Sequence, residues 1–335
     1  MLFQHATSCL CFIVGTFGNC AALYILNTTS KARNRKQVLL LNCLAINDLV
    51  AMVGMLAMIL INEYAVVEKE YICKGFVLLR AFGVGSGCIA LIMAVERWLA
   101  LTKPFLYQQI VTYELLFRCL VGFWIISATW TFLPLVGFGS YYKDGACSRY
   151  RDATTVRDKI YAYLFFVFGT TLLLCISLLN MVLVWALSRM KSSRRVLIRR
   201  VSKSILTNNG TTYSHRTPEE IAFSKLMSIL CITFVVCWAP QMICIPLVQF
   251  YRNDYRIQRL SRLADFLMAI YFTLDPYIYV VYRYLQKSNV TFCPCGKGPK
   301  TLITFVPSTN EMSSDAPTVV IQQAVPSTHN LNLQE

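Results

Sequence analysis

Opposite charges stand side by side in "LIMAVERWLALTKPF", where Glu96 and Arg97 interrupt an apolar run. A carboxylate and a guanidinium so placed hold each other. A buried pair of this kind adds little stability but suits a two-state latch. Protonating the acid, or offering the arginine another partner, releases it. Three more charges sit in equally apolar surroundings: Arg80, Asp48 in "LNCLAINDL" and Asp275 in "LDPYIY". A charge inside a long apolar segment is expensive, so each marks a functional position. The residues that other chemistry needs are missing. His5, His215 and His329 all lie outside the membrane interior, so a metal-dependent hydrolase has no ligand cluster. No nucleophile–base pair appears either, and the chain is not read as an enzyme.

The elements that position these charges follow from the apolar runs. The chain has 335 residues, of which 15% are charged, with a mean hydropathy of +0.50. A soluble chain carries nearer a quarter charged residues. Seven runs long enough to cross a bilayer are read at about 2–27, 38–61, 73–101, 117–138, 160–187, 222–248 and 260–283. The first is too long, and lacks the basic start, for a cleaved signal peptide. The expected fold is an all-α membrane protein, a seven-transmembrane-helix bundle over 1–290. A tail over 291–335, rich in polar residues and proline, is expected to be disordered.

Loop charges orient the bundle. The first loop carries Lys31, Arg33, Arg35 and Lys36 without an acid, and the loop after the fifth span is also basic. The loop after the second span carries Glu63, Glu68 and Glu70 against Lys69. Basic loops face the cytoplasm, so the N-terminus is expected outside and the C-terminus inside. The net charge of +15 is then topology charge, with no basic–aromatic patch that would take nucleic acid.

The same topology sorts the cysteines. Cys73 and Cys147 fall on the outer, oxidising side, where a disulfide between them is expected. Cys293 and Cys295 follow the last span on the inner side and suit palmitoylation; inert thiols are the alternative. The triplets at Asn27, Asn209 and Asn289 match the glycosylation pattern, but all fall inside and are expected to go unused. "RRVSKS" makes Ser202 a candidate phosphorylation site in a basic segment, whose attraction to anionic lipid a phosphate would weaken.

Asp48, Trp124, "FVVCWAP" (Phe234 to Pro240) and "LDPYIY", in that order on seven spans with Glu96–Arg97, resemble the rhodopsin-like (class A) G-protein-coupled receptors over about residues 10–290. The resemblance implies a multi-pass receptor of the plasma membrane that passes an extracellular signal to a heterotrimeric G protein. Receptor kinases and an arrestin would act on its tail. Glu96–Arg97 is similar to the family latch, whose arginine meets the G protein; Trp98 stands where tyrosine is common. Trp238 matches the rotamer switch beneath the ligand, Phe234 the packing relay, Pro240 the helix kink and Tyr279 the tyrosine that moves inward, next to Pro276. Asn19, Asp48 and Asp275 match buried polar positions, with Asp275 where most members have asparagine. Ser86 faces the same cluster. Two carboxylates in low dielectric do not readily both ionise, so a shared proton or a bridging sodium ion at Asp48, Ser86 and Asp275 is expected. No other cofactor is implied.

Within the family, "AVERWLALTKPFLY", "LPLVGFGSY", "LLNMVLVWALSRM" and "LDPYIYVVYR" look like the prostanoid receptor branch, as does Asn180 in a fifth span without proline. Two features depart from it. Phe266, beside Asp265, stands where that branch has a ligand-binding arginine, and "KDGACS" replaces its Thr-Trp-Cys loop end. The resemblance places the ligand among Arg80, Val84, Trp238, Met242 and Phe266. Arg80 lies where amine receptors carry an aspartate. A guanidinium there would select an anion, such as an acidic lipid, helped by Arg149, Arg151, Arg252, Arg256 and Arg259. An internal Arg80–Asp265 pair is the competing expectation. A receptor for a peptide or another small molecule is the second reading. Retinal would need a seventh-span lysine, and none lies between Lys225 and Lys287. A transporter or channel is the remote alternative, but no internal repeat supports it.

Overall fold

A computed structural model describes residues 2–29, 34–64, 67–201, 218–251 and 254–291. They form α1 (Leu2–Thr29), α2 (Arg35–Glu63), α3 (Lys69–Thr102), α4 (Pro104–Ile110), α5 (Tyr113–Phe132), α6 (Val156–Val201), α7 (Pro218–Phe250) and α8 (Tyr255–Thr291). All but α4 are long and apolar enough to cross a membrane. In hydrocarbon every backbone N–H and C=O must be satisfied internally, which makes helices of such runs. The chain divides into two compact units, Met1–Tyr284, which carries the bundle, and Leu285–Glu335. Ser202, Cys293 and Cys295 lie outside the described residues, as does Arg252.

Local chemistry sets the boundaries. Asn34 caps α2 by accepting from the Lys36 N–H at 3.1 Å, and Thr112 caps α5 by accepting from Leu115 at 3.1 Å. α3 stops at Thr102 because Pro104 drives Lys103 out of the helical region, to φ −132°. Proline is welcome at a helix start, so Pro104 opens α4 at once, a short helix that the apolar pattern did not suggest. α5 ends at Phe132, short of the expected 138. The segment Leu133–Val136 around Pro134 tightens into a 3-10 turn, which Gly137 terminates at φ +89°. α6 continues past the expected 187 to Val201, into the stretch expected as basic loop. That stretch has neither glycine nor proline and is rich in the good helix formers Arg, Leu and Met.

α3 is the core element, packing on α2, α5, α6 and α7. It buries Val77, Ala81, Val84, Ile89, Met93 and Ala94 with Ser86, Glu96 and Arg97. Small residues let membrane helices approach closely, and "GVGSG" puts three glycines on this one. A Cβ on Gly83 would meet Trp238 at 3.2 Å. One on Gly87 would meet Phe234 at 2.7 Å and Leu172 at 2.8 Å. α1 and α8 are seamed by Thr273 donating to the Cys11 carbonyl and Tyr277 to that of Val14.

Between α5 and α6 the chain makes a two-stranded hairpin, β1 (Tyr142–Lys143) on β2 (Ala146–Cys147), with Tyr142 opposite Cys147. Asp144 and Gly145 both have positive φ, 52° and 77°. A two-residue turn of this hand suits the strand twist and favours Asp-Gly. The hairpin brings Cys147 to Cys73, and the expected disulfide is present. A second 3-10 turn, Tyr150–Asp152, follows.

Candidate functional site

At one end of α3 the opening charges meet. Arg97 donates through Nε and Nη2 to both carboxylate oxygens of Glu96, and both residues are buried. Two contacts hold this pair that its sequence did not announce. Tyr107, on α4, donates its hydroxyl to Glu96 Oε1 at 2.7 Å, and the Arg97 guanidinium lies 4.8 Å from the centre of the Phe223 ring on α7. Lys36 donates to the Val111 carbonyl and stands 4.8 Å from the Tyr107 ring, tying α2 to the same corner. Tyr282 on α8 donates to the Ala222 carbonyl at 2.6 Å, beside Phe223. Nothing in the spacing of "KPFLYQQ" marks Tyr107, because its contact depends on the turn between α3 and α4.

An aromatic column rises from the middle of the bundle. Phe234 lies 5.1 Å from Trp238 and 5.4 Å from Tyr271, and Tyr271 lies 5.2 Å from Phe272. Pro240 and Pro246 interrupt the hydrogen bonding of α7 just beyond Trp238. The sequence brings Phe234, Trp238 and Pro240 together by helical spacing; Tyr271 enters from α8 and was missed.

Beside the column is a polar cluster in which no partner is charged positively. Ser86 donates to Asp48 Oδ1 at 2.8 Å. Asn47 donates to Ser86 Oγ at 2.6 Å and to the Phe82 carbonyl at 2.9 Å. Asn19 donates to the Gly15 and Phe272 carbonyls. Asp48 Oδ2, Asn19 Oδ1 and both Asp275 oxygens are buried with no hydrogen-bond partner. A cavity of about 20 Å³ touches Asn19, Asp48, Asp275, Pro276 and Tyr279. That is room for about one water-sized occupant. Orphaned buried oxygens around so small a space fit a hard cation, which takes oxygen ligands, or an ordered water.

The opposite end of the bundle, expected from the loop charges to face outward, holds a second set of charges. Arg151 donates twice to Asp265, at 2.9 and 2.7 Å, and Arg149 donates to the same carboxylate. The expected alternative of an Arg80–Asp265 pair is therefore corrected, because the outer loop delivers two other arginines to Asp265. Burial works against the Arg151 charge, but the carboxylate more than offsets it and holds the guanidinium above its usual value. Gln241 accepts from Arg151 at 3.2 Å and donates to the Tyr150 hydroxyl at 2.6 Å. The Tyr150 ring lies tilted 4.6 Å from Phe165 and 5.1 Å from the Arg80 guanidinium. Burial raises the Tyr150 phenol above its ordinary value, so it stays neutral. Arg80 Nη1 is buried with no hydrogen-bond partner. Val84 and Trp238 line a cavity of about 10 Å³ with Phe165, Gly169 and Phe234; Met242 packs against Gly169. Phe266 is exposed and is not among the residues lining that cavity. Tyr150 and Gln241 were missed, since no local pattern links residues 91 positions apart.

Comparison with known proteins decides what this arrangement is. The family model described as 7 transmembrane receptor (rhodopsin family) matches residues 18–279, from just before Asn19 to Tyr279. The chain belongs to the rhodopsin family of seven-transmembrane receptors. Its similarity spreads over several kinds of rhodopsin-family receptor. It is 22% identical to a GQ-coupled rhodopsin of Mizuhopecten yessoensis, over 92% of this chain and 65% of that protein. It is 23% identical to cannabinoid receptor type 1B of Takifugu rubripes, over 86% and 63%. It is 25% identical to the prostaglandin E2 receptor EP2 subtype of Canis lupus familiaris, over 60% and 56%. The chain thus spans 56–65% of the length of these relatives. As a rhodopsin-family receptor it is a multi-pass membrane protein and not an enzyme.

Proposed function

We propose that this receptor transduces an extracellular acidic ligand, an anionic lipid of prostanoid type, to heterotrimeric G proteins at the plasma membrane. One observation carries the ligand class: Arg80 has a buried guanidinium nitrogen without a partner, while Asp265, the acid the sequence offered it, is already taken by Arg149 and Arg151. A guanidinium nitrogen left without a hydrogen bond inside a membrane bundle is costly even with a ring beside it, and a carboxylate relieves that through two parallel hydrogen bonds. Similarity to a receptor for prostaglandin E2 supports this reading. The ligand acts by favouring one of two states. In the second state Trp238, Phe234 and Tyr279 repack, α7 swings about Pro240, and Arg97 leaves Glu96 to meet the G protein. Asp48, Ser86 and Asp275 would hold a sodium ion in the closed state. Phosphates on the tail bring in an arrestin after receptor kinases have acted.

The test is a cell-based readout of cyclic AMP and calcium against acidic lipids, prostaglandins among them, with their neutral esters as controls. The expected outcome is a response to the acids that is lost with the esters and in Arg80→Ala at unchanged surface expression. Silence toward the acids, or a response that Arg80→Ala leaves intact, overturns the anionic-ligand reading.

A further inference from the structure

Where the span of α5 ends and that of α6 begins, the chain shapes a groove of about 590 Å³. Sites for small organic molecules run to roughly 300–1,000 Å³. The groove shares no lining residue with the cavities beside Asp48 and Trp238. Its floor is fixed by packing. Gly139 has φ +119°, and a Cβ there would meet the Tyr161 ring at 2.8 Å and Pro134 at 3.2 Å, so glycine alone lets the backbone lie this close. The Tyr161 hydroxyl donates to the Trp130 carbonyl at 3.2 Å, which pins the ring between α5 and α6. β1 forms one wall and the first turn of α6 another, opened by Thr155, which accepts from the Asp158 N–H at 3.2 Å.

Lys143, Arg157 and Asp158 line this groove, and none of them is paired with another. Lys143 donates to the Thr154 hydroxyl at 2.7 Å, and Arg157 to the Gly137 carbonyl at 3.3 Å. Both groups keep further donors free to meet a ligand. Among the described residues no ion pair engages either cation or Asp158. Two cations and one acid around one space suit a molecule that carries a phosphate and an ammonium together. The cations take the phosphate oxygens, and the carboxylate takes the ligand's own cation.

The level of the groove says which such molecule fits. Val136 closes one apolar span and Val156 opens the next, so the groove lies where hydrocarbon gives way to water. These two valines are 81% and 76% exposed. From Val156 an exposed aliphatic line continues along α6 through Ile160, Leu164 and Val167, at the spacing of one helix face. A soluble phosphoester would meet the charges and leave that line untouched. A phospholipid meets both.

We infer that this groove seats the headgroup of a zwitterionic phospholipid, with its phosphate on Lys143 and Arg157, its ammonium on Asp158 and its acyl chains along α6. A lipid held in this way ties the end of α5, β1 and the start of α6 together. The inference rests on the seven-span bundle and not on the chemical class of the signalling ligand.

The experiment uses the full chain, purified in a neutral detergent and titrated with dioleoylphosphatidylcholine, with bound lipids counted by native mass spectrometry. One lipid is expected to stay on the protein at concentrations well below those that retain the next. Lys143→Gln with Arg157→Gln should raise the concentration needed for that first lipid roughly ten-fold, the scale of losing a charged hydrogen bond. Lys143→Arg with Arg157→Lys should keep it. Asp158→Asn should weaken the preference for phosphatidylcholine over dioleoylphosphatidic acid, which lacks the ammonium. Dioleoylglycerol, which lacks the phosphate, should not be retained by the parent chain, an arm that needs no variant to fold. Equal retention by the double glutamine variant, or retention of dioleoylglycerol, would make the bound lipid ordinary surrounding lipid and overturn the inference. Glycerophosphocholine competing as well as the whole lipid would mark a site for a soluble phosphoester, and an unchanged preference in Asp158→Asn would remove the zwitterionic class; each overturns it too. Arg80→Ala is expected to leave this lipid in place, so the anionic-ligand reading and this inference fail separately.

Discussion

The two ends of the bundle each hold an acid against arginine, in opposite ways. At the inner latch, acid and base are sequence neighbours, and the Glu96 side chain is 1% exposed. At the outer mouth, Asp265 meets arginines 114 and 116 positions away, and it keeps 29% of its side-chain surface in contact with the surroundings. A fully buried pair repays its desolvation only while intact, so losing one member there is severe. A pair at the water's edge is screened, and its loss is milder. On the proposed mechanism, the difference suits a receptor opened at its Asp265 end by a modest force and held firmly at its Glu96 end until then.

Glu96→Gln breaks this contrast most directly. It leaves Arg97 buried without its carboxylate, a penalty of about 3–5 kcal/mol where the charge stays put. Arg97 escapes that penalty by moving, and movement is the open state. Ligand-independent signalling is therefore expected to rise more than for Asp265→Asn at equal surface expression; the reverse order would sink the contrast. Gly87→Val probes whether the two ends communicate through the aromatic column. Its Cβ would stand 2.7 Å from the Phe234 ring, and overpacking of this kind costs about 1–3 kcal/mol. We expect a lower melting temperature and a ligand response uncoupled from signalling. Gly122→Ala, whose Cβ meets nothing within 4 Å, should instead leave both unchanged or slightly raise stability. Tyr107→Phe sharpens the inner half alone. It removes one hydrogen bond to Glu96, about 1.5 kcal/mol or somewhat more for a charged acceptor. Basal nucleotide exchange on the G protein should increase several-fold, with the melting temperature lowered by only a few degrees.

What was legible in the sequence divides along the same line. The seven spans, the Glu96–Arg97 pair and the Phe234–Trp238–Pro240 turn are written in neighbouring residues or in helical spacing. Cys73 and Cys147 were found because topology leaves few cysteines on the oxidising side. The outer network was not legible: Arg149 and Arg151 read only as loop charges that help attract an anion, and Tyr150 was not noticed, until an Asp-Gly hairpin and a disulfide turn the segment inward. Asp265 was noticed but given the wrong arginine, since nothing local ranks Arg80 below two residues of a distant loop. α4 and Tyr107 escaped because a seven-residue helix has no periodicity to detect.

α6 carries one more consequence. Its 46 residues make a rod of about 69 Å, more than twice the roughly 30 Å of hydrocarbon it has to cross. Measured from Arg189, where the apolar span ends, the arginine-rich remainder projects about 18 Å further. That makes the helix a lever arm pivoted in the bilayer. A tilt of about 10° inside the membrane, within the ordinary range for such helices, sweeps its tip by about 3 Å relative to the membrane surface. A modest tilt of the span would therefore arrive as a displacement of the helix end beyond the membrane face.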